Sequence, residues 1–178
     1  MIPIVGNFIL FQVGWLVCVL SGAALQPAVG VLIAALIIGF HVWRAEYPRQ
    51  EMWLIGLAMI IGAAWDSLLV ALDWLEYPAG MLLPNMAPYW IVVMWGLFAT
   101  TLNLSLRWLR KDMRLAAVLG GIAGPLAYLG GAGLDAVEFV DGFNATIALA
   151  AGWAVFTPLL LALAKRFDGY PTLAAGRA

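Results

Sequence analysis

Six long apolar runs alternate with short polar connections along this chain of 178 residues. Each run is about twenty residues long and holds few charges, which is the length an α-helix needs to cross the hydrocarbon core of a bilayer. A helix pairs its own backbone polar groups, so it is the structure predicted for such a run. The pattern therefore predicts an all-α polytopic membrane protein, a compact bundle of six transmembrane helices over residues 4–23, 27–43, 51–72, 88–109, 114–133 and 144–164.

Composition agrees with a lipid environment, because 65% of the residues are hydrophobic and only 11% are charged. Soluble domains carry about 25% charged residues. The net charge of -1 indicates no nucleic-acid partner. Cys18 is the only cysteine and His41 the only histidine, which excludes an intramolecular disulfide and a metal centre rich in either residue. No metal and no cofactor are predicted.

The basic residues are segregated along the chain. All nine lie at the N-terminal end of odd helices or at the C-terminal end of even ones, and the connections after helices 1, 3 and 5 contain none. The positive-inside rule then places both termini in the cytoplasm, including a polar, frayed tail over residues 167–178. The opposite end is acidic, with Asp73, Glu76, Asp135, Glu138 and Asp141.

Asp66 is a carboxylate inside the third apolar run, and such a residue is a functional-site hypothesis. It lies about six residues, or roughly 9 Å, from the outer end of its helix. No arginine, lysine or histidine shares that depth, so three interpretations stay open: a protonated acid, an acceptor for neutral donors, or the wall of a wet cavity. The ligand-binding candidates are Asp66, its neighbours Trp65 and Ser67, and the residues of similar depth Trp15, Trp95, Tyr128 and Trp153.

A second polar layer lies nearer the cytoplasmic end of the predicted bundle. Its candidates for a converging cluster are Asn7, His41, Asn103 and Arg107. A lone histidine near a helix end is usually a hydrogen-bonded residue, and the alternative is an acid/base or headgroup-contacting group. Arg107 and Arg110 are the side chains that would hold an anionic headgroup.

Helix 5 is rich in glycine and contains Pro125. Gly120 and Gly124 form a small-xxx-small pair, which permits close approach of a second helix. We predict a central, tightly packed helix, with a broken helix that exposes carbonyls as the alternative. The glycines of helix 5, called here the glycine stripe, are also the predicted contact surface for a membrane-protein partner.

Three motifs carry a family resemblance: Trp65-Asp66-Ser67-Leu68-Leu69, the segment from Thr101 to Leu109, and Gly124-Pro125-Leu126-Ala127-Tyr128. With the six-helix plan, they resemble a bacterial inner-membrane family known as domain of unknown function 2878, over nearly the whole chain. The resemblance implies a multi-pass protein of the bacterial inner membrane. It brings no established catalytic residues.

Three function classes follow. The first is a protein that binds or modifies a lipid-like or other hydrophobic small molecule in an intramembrane cavity around Asp66. The second is an accessory or scaffolding membrane subunit, and the third is a small transporter that is proton-coupled through Asp66. No H-E-x-x-H, G-x-S-x-G or phosphate-loop motif argues for a particular enzyme.

Overall fold

The computed structural model describes the backbone of residues 2–172 and the side chains of residues 4–172. These residues form six α-helices, one short 3₁₀ helix and two strands of two residues each, and the all-α six-helix prediction is confirmed. The elements are α1 (Ile2–Ala23), α2 (Pro27–Arg44), α3 (Pro48–Ala71), β1 (Leu75–Glu76), α4 (Tyr89–Leu102), the 3₁₀ helix (Arg107–Lys111), α5 (Met113–Ala132), β2 (Glu138–Phe139) and α6 (Gly142–Arg166).

Five of the helices are long and apolar enough to cross a bilayer. They are α1, α2, α3, α5 and α6, each with 18 residues or more. A multi-pass membrane protein is thus the class that the structure supports.

The fourth helix is shorter than predicted. The expected helix over 88–109 ends at Leu102, so α4 has only 14 residues. The hydroxyls of Thr100 and Thr101 donate to the carbonyls of Leu97 and Phe98, at 2.7 and 2.6 Å, within the last turn. Side-chain bonds of this kind compete with regular helix geometry. The apolar residues beyond Leu102 continue in turns and in the 3₁₀ helix, which is why the hydrophobic pattern concealed the break.

The centre of the bundle is α4, which packs against α1, α2, α3 and α6. The prediction that helix 5 is central is wrong, because α5 packs mainly along α6 and against the 3₁₀ helix. Gly120, Gly121 and Gly124 of the glycine stripe all face α6. Pro125 lies inside an unbroken helix, so the broken-helix alternative is also wrong.

The bundle has two chemically different ends, which we call the acidic end and the basic end. At the acidic end, β1 and β2 pair antiparallel, with Glu76 opposite Glu138, and join the α3–α4 connection to the α5–α6 connection. The basic end carries the α2–α3 connection, the 3₁₀ helix and the end of α6, with most of the arginine and lysine residues.

The chain beyond α6 folds back on the basic end. The prediction of a frayed tail is wrong for residues 167–172, because the segment Phe167–Tyr170, called here the C-terminal strap, hydrogen-bonds to α3, α4 and the 3₁₀ helix. The rest of the predicted tail, residues 173–178 with Arg177, lies outside the described residues.

Candidate functional site

Asp66 is buried in the middle of the bundle, where neutral donors surround it. Its carboxylate is 0% exposed and accepts hydrogen bonds from Trp95 Nε1 at 2.7 Å, Tyr128 Oη at 2.5 Å and Tyr77 Oη at 3.4 Å. No basic side chain of the described residues forms a salt bridge with it. The prediction that Asp66 faces the interior beside tryptophan and tyrosine is confirmed. These three contacts match the second interpretation, an acceptor for neutral donors.

Different elements bring the three donors to Asp66. Trp95 comes from α4, Tyr128 from α5, and Tyr77 from the connection that follows β1. Gly62 lies one turn before Asp66 on α3, and a Cβ built there would be 2.0 Å from Trp95 Cγ. The missing side chain therefore makes the space that lets the indole of Trp95 reach the carboxylate.

A cleft of about 640 Å³ lies in front of this network, between α1 and α5. Its base is formed by α4, and it extends from Tyr77 and Val137 near the acidic end to Leu106 and Trp108 near the basic end. Gln12, Leu126 and several other lining residues are exposed, so the cleft opens sideways between α1 and α5. Ligand pockets in proteins are commonly about 300–1,000 Å³, so the volume suits a small molecule.

Aromatic side chains form much of the cleft wall, and several are predicted candidates. Trp15, Trp95, Tyr128 and Trp153 all line the cleft. Trp95 and Trp153 stack with ring centroids 4.6 Å apart and an interplanar angle of 13°. Such stacking adds roughly 0.5–1.5 kcal/mol to the energy of burial and makes the wall rigid.

The other three candidates lie outside the cleft. Asp66 is behind the wall, covered by the Tyr77, Trp95 and Tyr128 side chains that do line it. Trp65 packs edge-on against Phe156 on α6, with ring centroids 5.1 Å apart. Ser67 accepts a hydrogen bond from the backbone N–H of Ala87 at 2.9 Å and so holds the α3–α4 connection. The structure therefore gives Trp65 a packing contact and Ser67 a hydrogen bond to the α3–α4 connection.

A second buried carboxylate, Glu51, organises the basic end. Its side chain is 0% exposed, and Oε2 lies 2.7 Å from His41 Nε2. Oε1 accepts hydrogen bonds from Asn103 Nδ2 and from the backbone N–H of Gly169, the latter at 2.8 Å. His41 and Asn103 thus meet as predicted, through an acid that the sequence reading missed.

The remaining two members of the predicted polar cluster behave differently. Arg107 joins it, because its guanidinium donates to the Asn103 carbonyl at 3.0 Å. Asn7 does not, since its amide donates to the Thr100 carbonyl at 3.2 Å and accepts from Ser105 Oγ at 2.7 Å. Asn7 instead fastens α1 to the end of α4.

The C-terminal strap covers Glu51 and His41. Tyr170 Oη donates to the His41 carbonyl, and the two rings lie 5.0 Å apart between centroids. Burial and the nearby Glu51 charge raise the pKa of the Tyr170 hydroxyl, so it stays a donor at physiological pH. A Cβ on Gly169 would be 2.4 Å from Glu51 Cγ, so glycine is required for this approach.

Arg107 and Arg110 are already occupied by the protein itself. Both bind Asp168 of the C-terminal strap, and Arg110 also donates to the Ala164 carbonyl at 3.0 Å. Burial lowers the pKa of Arg110, and the Asp168 carboxylate offsets part of that effect. The expectation that these two arginines hold an anionic headgroup is not supported, because the donors of both already bind Asp168 and backbone carbonyls of the protein.

Sequence reasoning missed Tyr77, Glu51 and Asp168. Tyr77 belongs to a connection, so helix depth did not place it near Asp66. Glu51 was within reach of the depth argument, because it lies in the first turn of α3, close to the level of His41 and Asn103. Asp168 carried no comparable signal, since the path of a chain after its last helix has no periodicity.

Comparison with known proteins identifies the family. No curated protein and no solved structure matches this chain. A family model described as protein of unknown function (DUF2878) matches residues 4–159, from the first turn of α1 into the second half of α6. By that match over most of its length, the chain belongs to the DUF2878 family of proteins of unknown function.

Proposed function

We propose that this protein binds a lipid-like or other hydrophobic small molecule in the cleft between α1 and α5. The observation that carries the proposal is a lateral cleft of about 640 Å³ whose lining residues include no charged side chain. Lipid can enter such a cleft directly from the bilayer. Flat aromatic walls offer large contact area at low cost in side-chain entropy.

In this proposal Asp66 lies behind the cleft wall and orients the aromatic side chains that form it. Its hydrogen bonds hold the Tyr77, Trp95 and Tyr128 side chains in fixed positions, and each of them lines the cleft. A preformed wall reduces the entropy that binding would otherwise cost. Asp66 is thus a positioning residue whose carboxylate does not touch the ligand.

We also propose the bacterial inner membrane as the location, with both termini and the basic end in the cytoplasm. Support comes from the segregation of the arginine and lysine residues at one end of the bundle. The negatively charged cytoplasmic leaflet favours that orientation.

The alternative functions have less support. A partner helix on the glycine stripe of α5 would need a free surface, but Gly120 and Gly124 pack against Thr157 and Trp153 of α6. A proton-coupled transporter would need water at Asp66, whereas three protein donors occupy the carboxylate.

The test is to fill the cleft. Ala127 is exposed and lines the cleft, so Ala127→Trp would occupy its volume, whereas Ala151 is exposed on α6 away from it. Native mass spectrometry of protein purified in mild detergent should find a retained apolar molecule in the parent and in Ala151→Trp. Ala127→Trp should lose it. Equal retention in both variants, or no retained molecule in the parent, would contradict the proposal.

A further inference from the structure

One lining residue of the cleft does not suit a purely apolar ligand. Gln12 lies about ten residues into α1, roughly 15 Å along the helix axis, and is exposed in the cleft. Among the side-chain hydrogen bonds of α1 within residues 4–172, which involve Asn7 and Ser21, none involves the Gln12 amide. An amide in contact with hydrocarbon and without a partner is unfavourable. A partner from outside the chain would relieve this cost.

The α6 wall of the cleft carries two further polar groups without a partner. Thr157 is 4% exposed and Trp153 is one turn away, and both line the cleft. Thr157 Oγ1 and Trp153 Nε1 are buried and find no hydrogen-bond acceptor in the described part of the chain. Neither atom is accessible from the cleft, because α5 packs over them: a Cβ on Gly120 would be 2.2 Å from Thr157 Oγ1, and one on Gly124 would be 2.3 Å from Trp153 Cδ1. Gln12 is therefore the lining amide that a ligand in the cleft can reach.

These groups lie at one level of the bundle. Phe11, the neighbour of Gln12, packs on Phe98 with ring centroids 6.2 Å apart. Phe98 packs in turn on Trp153, at 5.2 Å between centroids. Gln12 therefore lies at the level of Trp153, in the middle section of the cleft.

We infer that the ligand of the proposed cleft is a neutral amphiphile with a hydrogen-bonding carbonyl or hydroxyl group part-way along its apolar body, and that Gln12 binds this group. The inference rests on the proposed function and narrows the ligand class. A charged group on the ligand would lack a counter-charge in this position, because no lining residue has a basic or an acidic carboxyl side chain. A plain hydrocarbon would leave the Gln12 amide unpaired.

The experiment compares two probes of equal length, a long-chain dialkyl ketone with a mid-chain carbonyl and the corresponding alkane. A dibrominated alkane first quenches the tryptophans of the cleft in purified protein, and each probe is then tested for its ability to displace it. One additional hydrogen bond is worth about 1 kcal/mol. The ketone should therefore displace the quencher at a concentration roughly fivefold lower than the alkane.

The variants separate the inference from the proposed function. Gln12→Leu should bind both probes equally, while Gln26→Leu, the same change outside the cleft, should keep the preference for the ketone. Equal displacement by both probes in the parent, or a preference that survives in Gln12→Leu, would overturn the inference and leave the cleft intact. Quenching that is not saturable, or that persists in Ala127→Trp, would overturn the proposed function instead.

Gln12 could also pair with a second copy of the chain, and the same samples test this. Light scattering of the parent and of Gln12→Leu should give one mass. A dimer that dissociates in Gln12→Leu would assign the amide to a contact between copies, and the inference would be wrong.

Discussion

Two carboxylates of this bundle, Asp66 and Glu51, are completely buried and are stabilised in different ways. Asp66 has three neutral donors from aromatic side chains. Glu51 has a histidine, an amide and a backbone N–H. A buried acid is tolerated only when its oxygens are paired, and both sites meet that condition. Removing either acid would leave its donors buried and unpaired.

Replacement of Asp66 tests this at the level of one residue. Asp66→Asn keeps an acceptor for Trp95 Nε1, and its amide can donate to the tyrosine hydroxyls, so we expect a loss of about 1 kcal/mol in the free energy of unfolding. Asp66→Leu leaves the buried donors of Trp95 and Tyr77 and the partly buried Tyr128 hydroxyl without their acceptor, and should cost about 3 kcal/mol or more. Thermal unfolding in detergent measures both. Equal stability of Asp66→Leu and the parent would show that the network is unimportant for folding.

Helix depth was the successful predictor at this scale. It placed Trp95 and Tyr128 near Asp66 and excluded a basic partner, because residues on straight helices have a depth that can be counted. It failed for Tyr77, which reaches Asp66 from a connection. It also counted Trp65 and Ser67 as site residues, because depth does not tell which way a side chain points around the helix.

At the scale of elements, the positions of small residues favour α5 as the central helix, whereas hydropathy favours α4. The glycines of α5 suggested a central, tightly packed helix, yet Gly120, Gly121 and Gly124 all face one neighbour, α6. The central helix is α4, whose 14 residues Tyr89–Leu102 include no charged residue. A helix that is apolar all around is typical of a buried position. The uniform hydrophobicity of this helix is visible in the sequence and was a better predictor of the central helix than the glycines of α5.

A pair of glycine substitutions tests the α5–α6 contact. A Cβ on Gly124 would be 2.2 Å from Trp153 Cγ, whereas a Cβ on Gly39 of α2 meets nothing within 4 Å. Gly124→Ala should therefore reduce the free energy of unfolding by about 1–3 kcal/mol through overpacking. Gly39→Ala should raise it by up to about 1 kcal/mol through helix propensity. If both variants had a higher free energy of unfolding than the parent, α5 and α6 would be loosely packed.

The whole molecule is asymmetric in charge, and this asymmetry sets its expected orientation. Five of its acidic residues lie on or beside the connections at the acidic end, while the arginines and lysines of the described residues lie at the basic end. The number of helices, their order and this asymmetry are all visible in the sequence. The course of the C-terminal strap is not, because it depends on contacts with residues far away in the chain.

Cysteine labelling tests the orientation in a Cys18→Ala background. Gly142 and Lys111 are both exposed and lie at opposite ends of the bundle. In spheroplasts, a membrane-impermeant maleimide should label Gly142→Cys and should leave Lys111→Cys unlabelled until the membrane is broken. The reverse pattern would place the basic end outside the cell and would contradict the proposed topology.

The C-terminal strap has a consequence for the order of biosynthesis. Glu51 receives a hydrogen bond from Gly169, which follows it by 118 residues. A ribosome makes the N-terminal part of a chain first. His41, Glu51 and Asn103 are therefore made long before the segment that covers them, and Glu51 Oε1 lacks the Gly169 donor until residue 169 has been made. Chains that end before Gly169 would therefore carry Glu51 and His41 without the strap that covers them.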